Sequence, residues 1–463
     1  MIIGTLTILT ALVLVAPRAA RTLESFFVHN RNLGWLRGSF AYTADWTQPL
    51  ALFASGTFAF LSPWHFLAFA VPNVFALALT MIIGPALHNA KGDGYTLPEV
   101  FGHVSRGVSG GLLRTVFAIF AIISLAYTMA LNLTMLQAAN QETLRLWIGE
   151  HLGVSMLTLS ILAGVIAYLW ATPHGMRGTM IGDIGKIFFI FLGAAGIALL
   201  WIFPVAPFDF AIPLPDLSPM NVFWVFGVPF AVSLIGGAIS KPEMVERNYA
   251  IEKSRLVLSG TVSVVLFSII LVAYGSLGFL ARMLGMGLMK DQLPALEIVK
   301  FLPAAEPLVI LIVTVVLISS LASQLASAGT VWGTEIVKRF GLGSSEEETI
   351  AWSRAFMFIT LIGGFVMALR VNDIAVLLQN MSIVRGEQIV AIFVVLLWPR
   401  AVSPWVVLIG VVGGAIAGPY FTFVEHNPPL GAIVAFSVPL VFCVLGAVWR
   451  WYHPCSERDV ILK

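Results

Sequence analysis

Apolar stretches able to cross about 30 Å of hydrocarbon, about 20 residues each, recur from end to end of this 463-residue sequence. A chain with that pattern has to satisfy its backbone amides internally, and helices do so without help from water. Hydropathy places thirteen spans, at 1–17, 37–61, 63–87, 112–141, 154–173, 179–204, 220–240, 256–281, 307–331, 351–369, 374–399, 404–424 and 430–449. Charged residues make up only 11% of the chain, whereas a soluble domain needs about 25% to cover its surface. The expectation is an all-α polytopic membrane protein: one transmembrane domain over 1–450 and a cytoplasmic tail over 451–463.

Twenty of the 26 Lys and Arg residues fall on one side of this map. Basic residues accumulate in short cytoplasmic loops, so the bias predicts an external N-terminus and a cytoplasmic C-terminus in the cell membrane. The first apolar run, Ile2 to Val15, ends in Pro17-Arg18 with no small-x-small cleavage site, and is read as a retained span. The 24 acidic residues leave a net charge of +2, too balanced to suggest a nucleic-acid partner. Cys443 and Cys455 cannot supply a disulfide framework or a four-ligand zinc site. No P-loop or HExxH motif is present, which removes the usual carriers of ATP-driven pumping and metalloprotease chemistry. No obligate protein partner is evident, and no enzyme chemistry has a sequence carrier.

Five stretches read together. They are Phe26-Phe27-Val28-His29-Asn30-Arg31-Asn32-Leu33-Gly34-Trp35, Tyr95-Thr96-Leu97-Pro98-Glu99-Val100, the run from His174 to Asp183, the run from Glu246 to Ser254, and Ile318-Ser319-Ser320-Leu321-Ala322-Ser323. In order and spacing, over roughly residues 25–400, they resemble the sodium:solute symporter family. The resemblance implies a LeuT-type core of five helices repeated upside down, pairing 37–204 with 220–399. It also implies sodium-coupled symport of a small organic solute. The sodium ligands it carries over are backbone carbonyls at Thr43, Trp46 and Val316 with the hydroxyls of Ser319 and Ser320, beside Asp45. Two departures stand out: the family usually has Gln where Lys186 stands, and often a Gly/Pro break where Arg385-Gly386-Glu387 stands. Relatives that carry proline have an aromatic residue where this chain has Ala238, which argues against proline.

The residues themselves leave alternatives open. Asp45 lies in an apolar span, where a carboxylate costs on the order of 3 kcal/mol; it either supports a cation or is solvated near the cytoplasmic end. Ser319, Ser323 and Ser327 share one helix face. Small hydroxyl residues there serve close packing, although the resemblance makes Ser319 and Ser320 ion ligands. Asp183 and Lys186, three apart, either neutralise each other or act in coupling, Lys186 being a fixed charge in place of an ion, which would leave one coupled sodium rather than two. Arg385 at mid-span needs a partner: a substrate carboxylate held bidentately, or a structural pair with Glu387 or Asp45. The first span of each half is interrupted, at Asp45-Trp46-Thr47-Gln48-Pro49 and at Pro229 with Gly236-Gly237, and matching interruptions point to a midplane site. Gln48, Gly236, Gly237, Gln379 and Arg385 are therefore the candidate substrate contacts, the substrate being an amino acid or monocarboxylate. The competing readings are a proton-coupled symporter, with Asp45 titrating, and a transporter-like sensor acting with a separate signalling partner.

Overall fold

The computed structural model describes residues 2–15, 22–137, 142–202, 218–286, 293–300, 305–370 and 374–452. The first half contains α1 (Ile2–Val15), α2 (Leu23–Val28), α3 (Trp35–Trp46), α4 (Pro49–Leu61), α5 (Pro63–Ala78) and α6 (Thr80–Ala90). It continues through α7 (Leu97–Val104), α8 (Gly107–Gln137), α9 (Glu142–Leu152), α10 (Met156–His174) and α11 (Met176–Ile202). The second half holds α12 (Pro219–Val222), α13 (Val228–Ser240), α14 (Pro242–Ala250), α15 (Leu256–Met283) and α16 (Pro294–Val299). After these come α17 (Glu306–Trp332), α18 (Glu346–Arg370), α19 (Ile374–Leu397), α20 (Pro404–Pro419) and α21 (Pro428–Tyr452). Among the described residues, ten helical segments are long and apolar enough to cross a membrane. Three further expected spans coincide with the short α1, the broken pair α3–α4, and α19.

The middle of the bundle is α17, buried without interruption from Ile310 to Val331. It is apolar on every side because it has neighbours on every side: α8, α10, α11 and α18 all pack on it. Outward-facing apolar residues such as Val272 and Leu445 are exposed where a bilayer would cover them.

Two helix breaks face one another, and the same local chemistry makes both. Helix α3 ends at Trp46; Gln48 then takes an extended conformation (φ −88°, ψ 162°) and α4 starts at Pro49. Helix α13 ends at Ser240; Lys241 is extended (φ −61°, ψ 122°) and α14 starts at Pro242. A residue before proline is pushed out of the helical region by the ring, and proline itself suits the first helical position. The second break therefore lies beyond Gly237, which corrects the expectation of an interruption at Pro229 and Gly236-Gly237. Pro229 directly follows a π-helical turn over Phe223–Gly227 in a helix that runs on without a break from Pro219 to Ser240, and the widened turn is where the helix accommodates the missing N–H. The glycines stay helical and permit a close approach instead. A Cβ at Gly236 would stand 2.6 Å from the Arg385 carbonyl oxygen, and one at Gly237 would stand 2.8 Å from Arg385 Nη1.

At one end the two halves are tied together. Leu33 and Ile251 form a parallel bridge, the Leu33 N–H donating to Ala250 O at 3.0 Å and the Glu252 N–H to Leu33 O at 3.1 Å. Arg31 donates to Glu24 Oε1 (3.0 Å) and Gly94 O (2.9 Å), and its guanidinium lies over the rings of both Tyr95 and Tyr249.

Candidate functional site

The unwinding after Trp46 decides which backbone oxygens are free. Thr43 O accepts from the Thr47 amide (2.8 Å) and hydroxyl (2.7 Å), and Trp46 O accepts from the Gln48 amide (3.1 Å). The carbonyls left open are those of Ala44 and Asp45, and each is taken by a lysine. Lys186 Nζ donates to Ala44 O at 2.7 Å and to Ser320 Oγ at 2.8 Å. Lys241 Nζ donates to Asp45 O at 3.1 Å. The oxygen cradle between the broken helix and the serine pair of α17 thus encloses the Lys186 ammonium, and the bound carbonyl is Ala44 rather than Thr43 or Trp46. Val316 lies buried in α17, one turn before Ser320.

Around this ammonium lies a buried charge network. Arg247 from α14 donates through Nε to Asp45 Oδ2 (2.7 Å) and through Nη2 to Asp183 Oδ2 (2.7 Å) and Ser323 Oγ (3.0 Å). Ser319 Oγ donates to the second oxygen of Asp183 at 2.8 Å. Asp45, Asp183, Lys186 and Arg247 are all buried, two anions against two cations. Such a cluster persists only because every member has partners; an uncompensated charge at that depth would be far more costly. Asp183 and Lys186 form no direct ion pair: Asp183 bonds Arg247 of α14 and Ser319 of α17, and Lys186 bonds Ala44 O of α3 and Ser320 of α17.

Several sequence readings change here. Asp45 is buried and ion-paired, not solvated. Ser323 and Ser327, read as packing residues, are bonding partners: Ser323 accepts from Arg247, and Ser327 donates to Glu246 Oε2 at 2.8 Å. Arg247, Lys241 and Glu246 were missed because they fall in a polar stretch that reads as a loop. The available signal was the Lys241-Pro242 dipeptide, which repeats the Gln48-Pro49 break.

Beside the network, the two breaks enclose a cavity of about 80 Å³ lined by Asp45, Trp46, Gln48, Asn73, Lys241 and Arg385, with Phe69 and Phe230 among the apolar walls. At roughly 30 Å³ per molecule it has room for two or three waters, so an organic solute requires the walls to part. Arg385 donates from Nη2 to Thr128 Oγ1 at 3.0 Å. Among the described residues it has no ion pair with Glu387 or Asp45. Two buried cavity-lining atoms lack a partner, Trp46 Nε1 and Arg385 Nε, and both are N–H donors. Gln379 lies outside the residues whose side chains are described. Away from the cavity, the carboxylates of Glu150 and Glu306 and the His151 ring come within 4.8 Å of one another; His151 Nε2 and Glu306 Oε2 are in hydrogen-bond contact at 3.0 Å.

No family profile matches the sequence, nor does any curated protein. Solved structures match the fold. A Na+-coupled sialic acid symporter in a substrate-bound outward-open state aligns with a TM-score of 0.76 at 14% identity, over 96% of this chain and 96% of that chain. A closed conformation of Mhp1, a nucleobase-cation-symport-1 family transporter with bromovinylhydantoin bound, aligns with a TM-score of 0.60 at 15% identity, over 96% and 98% of the two chains. At these identities the likeness is one of architecture, and the LeuT-type helical fold is the one this chain adopts.

Proposed function

We propose that the protein is a secondary active transporter for a small organic solute bearing an anionic group, with the tethered ammonium of Lys186 standing in the cradle where a coupling sodium would otherwise sit. The observation that carries the solute class is the cavity between the two helix breaks. Its unpartnered buried atoms are donors, Trp46 Nε1 and Arg385 Nε, while the acid facing it, Asp45, is already held by Arg247. A carboxylate would satisfy both donors and gain the charge-assisted bonding that guanidinium favours. Gln48, in the extended break, adds a polar contact, and Gln379 is retained as a further candidate from the sequence.

In this reading the chain is a single domain whose repeats, 37–204 and 220–399, meet at the breaks, and it works by alternating access in the cell membrane with its C-terminus cytoplasmic. The five motifs support a place in or beside the sodium:solute symporter family. Lys186 sets it apart from sodium-dependent relatives. Its two bonds in the cradle leave a sodium ion no room among the same oxygens, so uptake is expected to run without sodium.

Uptake of radiolabelled monocarboxylates, amino acids and neutral sugars into proteoliposomes tests both parts. Uptake of an anion-bearing solute that survives replacement of sodium by choline, and is lost in Arg385→Gln, is expected. Transport confined to neutral or cationic solutes would overturn the solute class, and strict sodium dependence would overturn the role of Lys186.

A further inference from the structure

A second, larger cleft opens between α3 and α11 at the end of the bundle where Leu33 meets Ile251. It encloses about 240 Å³, and its lining includes His29, Arg37, Phe40, Arg177, Ile181 and Ile184. Among the described residues, neither Arg37 nor Arg177 has a carboxylate partner. Burial pushes the His29 imidazole below its usual value, and Arg177 and Arg37 push it further the same way, so the cleft's charge at neutral pH resides in the two guanidiniums. Among the described residues, the one acid lining the cleft is Asp183. Both its oxygens are occupied, by Arg247 and by Ser319, so it leaves the guanidiniums uncompensated.

The cleft is also graded along its length. On α11, Arg177, Ile181, Ile184 and Phe188 fall at i, i+4, i+7 and i+11, a single stripe. On α3, Arg37, Phe40 and Ala41 make the matching wall. Arg177 marks the terminal turn of α11, while Ile184 and Phe188 further along are exposed at 45% and 63%, facing where acyl chains would lie. Trp35 and Leu36 are exposed at the same end, as expected of an interfacial anchor.

A basic end that grades into an exposed apolar stripe matches one kind of ligand, a phosphate headgroup with its chains attached. We infer that the groove between α3 and α11 binds an anionic phospholipid of the cytoplasmic leaflet, its phosphate on Arg37 and Arg177 and an acyl chain along Ile181, Ile184 and Phe188. Basic pockets between helices on the cytoplasmic side are a recognised way of holding such headgroups. This goes beyond the transport reading and takes from it only the cytoplasmic placement of this end of the bundle.

The test uses the full chain purified in detergent and the double variant Arg37→Gln with Arg177→Gln. Thermal unfolding and native mass spectrometry would be followed on adding dioleoyl phosphatidylglycerol, dioleoyl phosphatidylcholine, or inorganic phosphate. Phosphatidylglycerol should raise the unfolding temperature of the wild type above the phosphatidylcholine value and remain bound in the spectrometer. The double variant should keep its unfolding temperature in phosphatidylcholine but bind phosphatidylglycerol about 30-fold more weakly. Phe188→Ala should weaken the dioleoyl lipid and leave any effect of inorganic phosphate unchanged. An undiminished phosphatidylglycerol effect in the double variant would overturn the site. Inorganic phosphate reproducing the whole effect would overturn the lipid assignment in favour of a small-anion site.

Discussion

Replacing Lys186 by alanine removes the ammonium from the cradle and leaves Asp45 and Asp183 facing Arg247, the neighbouring Lys241 being already paired with Glu243 at 3.4 Å. The loss can be sized from the geometry. Lys186 makes two short charge-assisted bonds, to Ala44 O and Ser320 Oγ, each worth about 1.5–3 kcal/mol. Part of that is returned because a buried ammonium no longer has to be desolvated, so a net loss of about 3 kcal/mol is expected, the low end for breaking a buried ion cluster. The emptied cradle then offers a carbonyl and a hydroxyl beside a net negative charge, an environment of hard oxygen ligands that suits sodium. A ligand binding only the folded state at 100 times its dissociation constant restores about 2.7 kcal/mol. The assay is thermal unfolding of the detergent-purified protein in sodium chloride and in choline chloride at equal ionic strength. Wild type should be indifferent to the cation. Lys186→Ala should unfold at a lower temperature in choline and recover most of the loss in sodium, whereas Lys186→Met, which fills the space without charge, should be destabilised in both. A wild type stabilised by sodium as strongly as the alanine variant would refute the reasoning, as would an alanine variant blind to sodium.

Four other outcomes follow from the same geometry. Asp45→Asn leaves Arg247 with Asp183 as its remaining ion-pair partner and should cost about 3 kcal/mol, the low end for breaking a buried pair; adding Arg247→Gln should recover part of it, read as unfolding temperature in singles and double. Arg385→Gln removes a buried charge whose only described bond is to Thr128 Oγ1, so stability should hold or rise while solute binding, measured by calorimetry, falls at least tenfold; adding Glu387→Gln should change neither. Gly236→Ala places a Cβ 2.6 Å from a backbone oxygen of α19 and should cost about 1–3 kcal/mol of overpacking. Gly237→Ala meets a movable guanidinium instead, so it should weaken solute binding more than it lowers the unfolding temperature.

The sequence by itself determined the membrane-spanning helical class, because apolar runs of bilayer length leave the backbone few other options. It pointed to the first break as well, since proline disfavours a helical conformation in the residue before it, although Pro72, Pro85 and Pro439 are carried inside helices elsewhere in the chain. It also singled out Asp45, Asp183, Lys186, Ser319 and Ser320, because charge and clustered hydroxyls stand out in apolar spans; the structure gathers all five. The tertiary structure alone decided their partners. Asp45 and Arg247 are separated by 202 residues, and nothing local distinguishes an arginine in a polar stretch that stays in solvent from one carried inside by α14. The choice of Ala44 over Thr43 as the open carbonyl depends on the Thr47 amide and hydroxyl folding back, a matter of how one turn unwinds. Arg385 could be recognised as needing a partner, but that it has no carboxylate in ion-pair contact among the described residues follows from which faces of α8 and α13 pack on α19. Helix periodicity and proline chemistry act over a few residues and are written in the chain; pairing of buried charges is a property of neighbours brought together only when the helices pack.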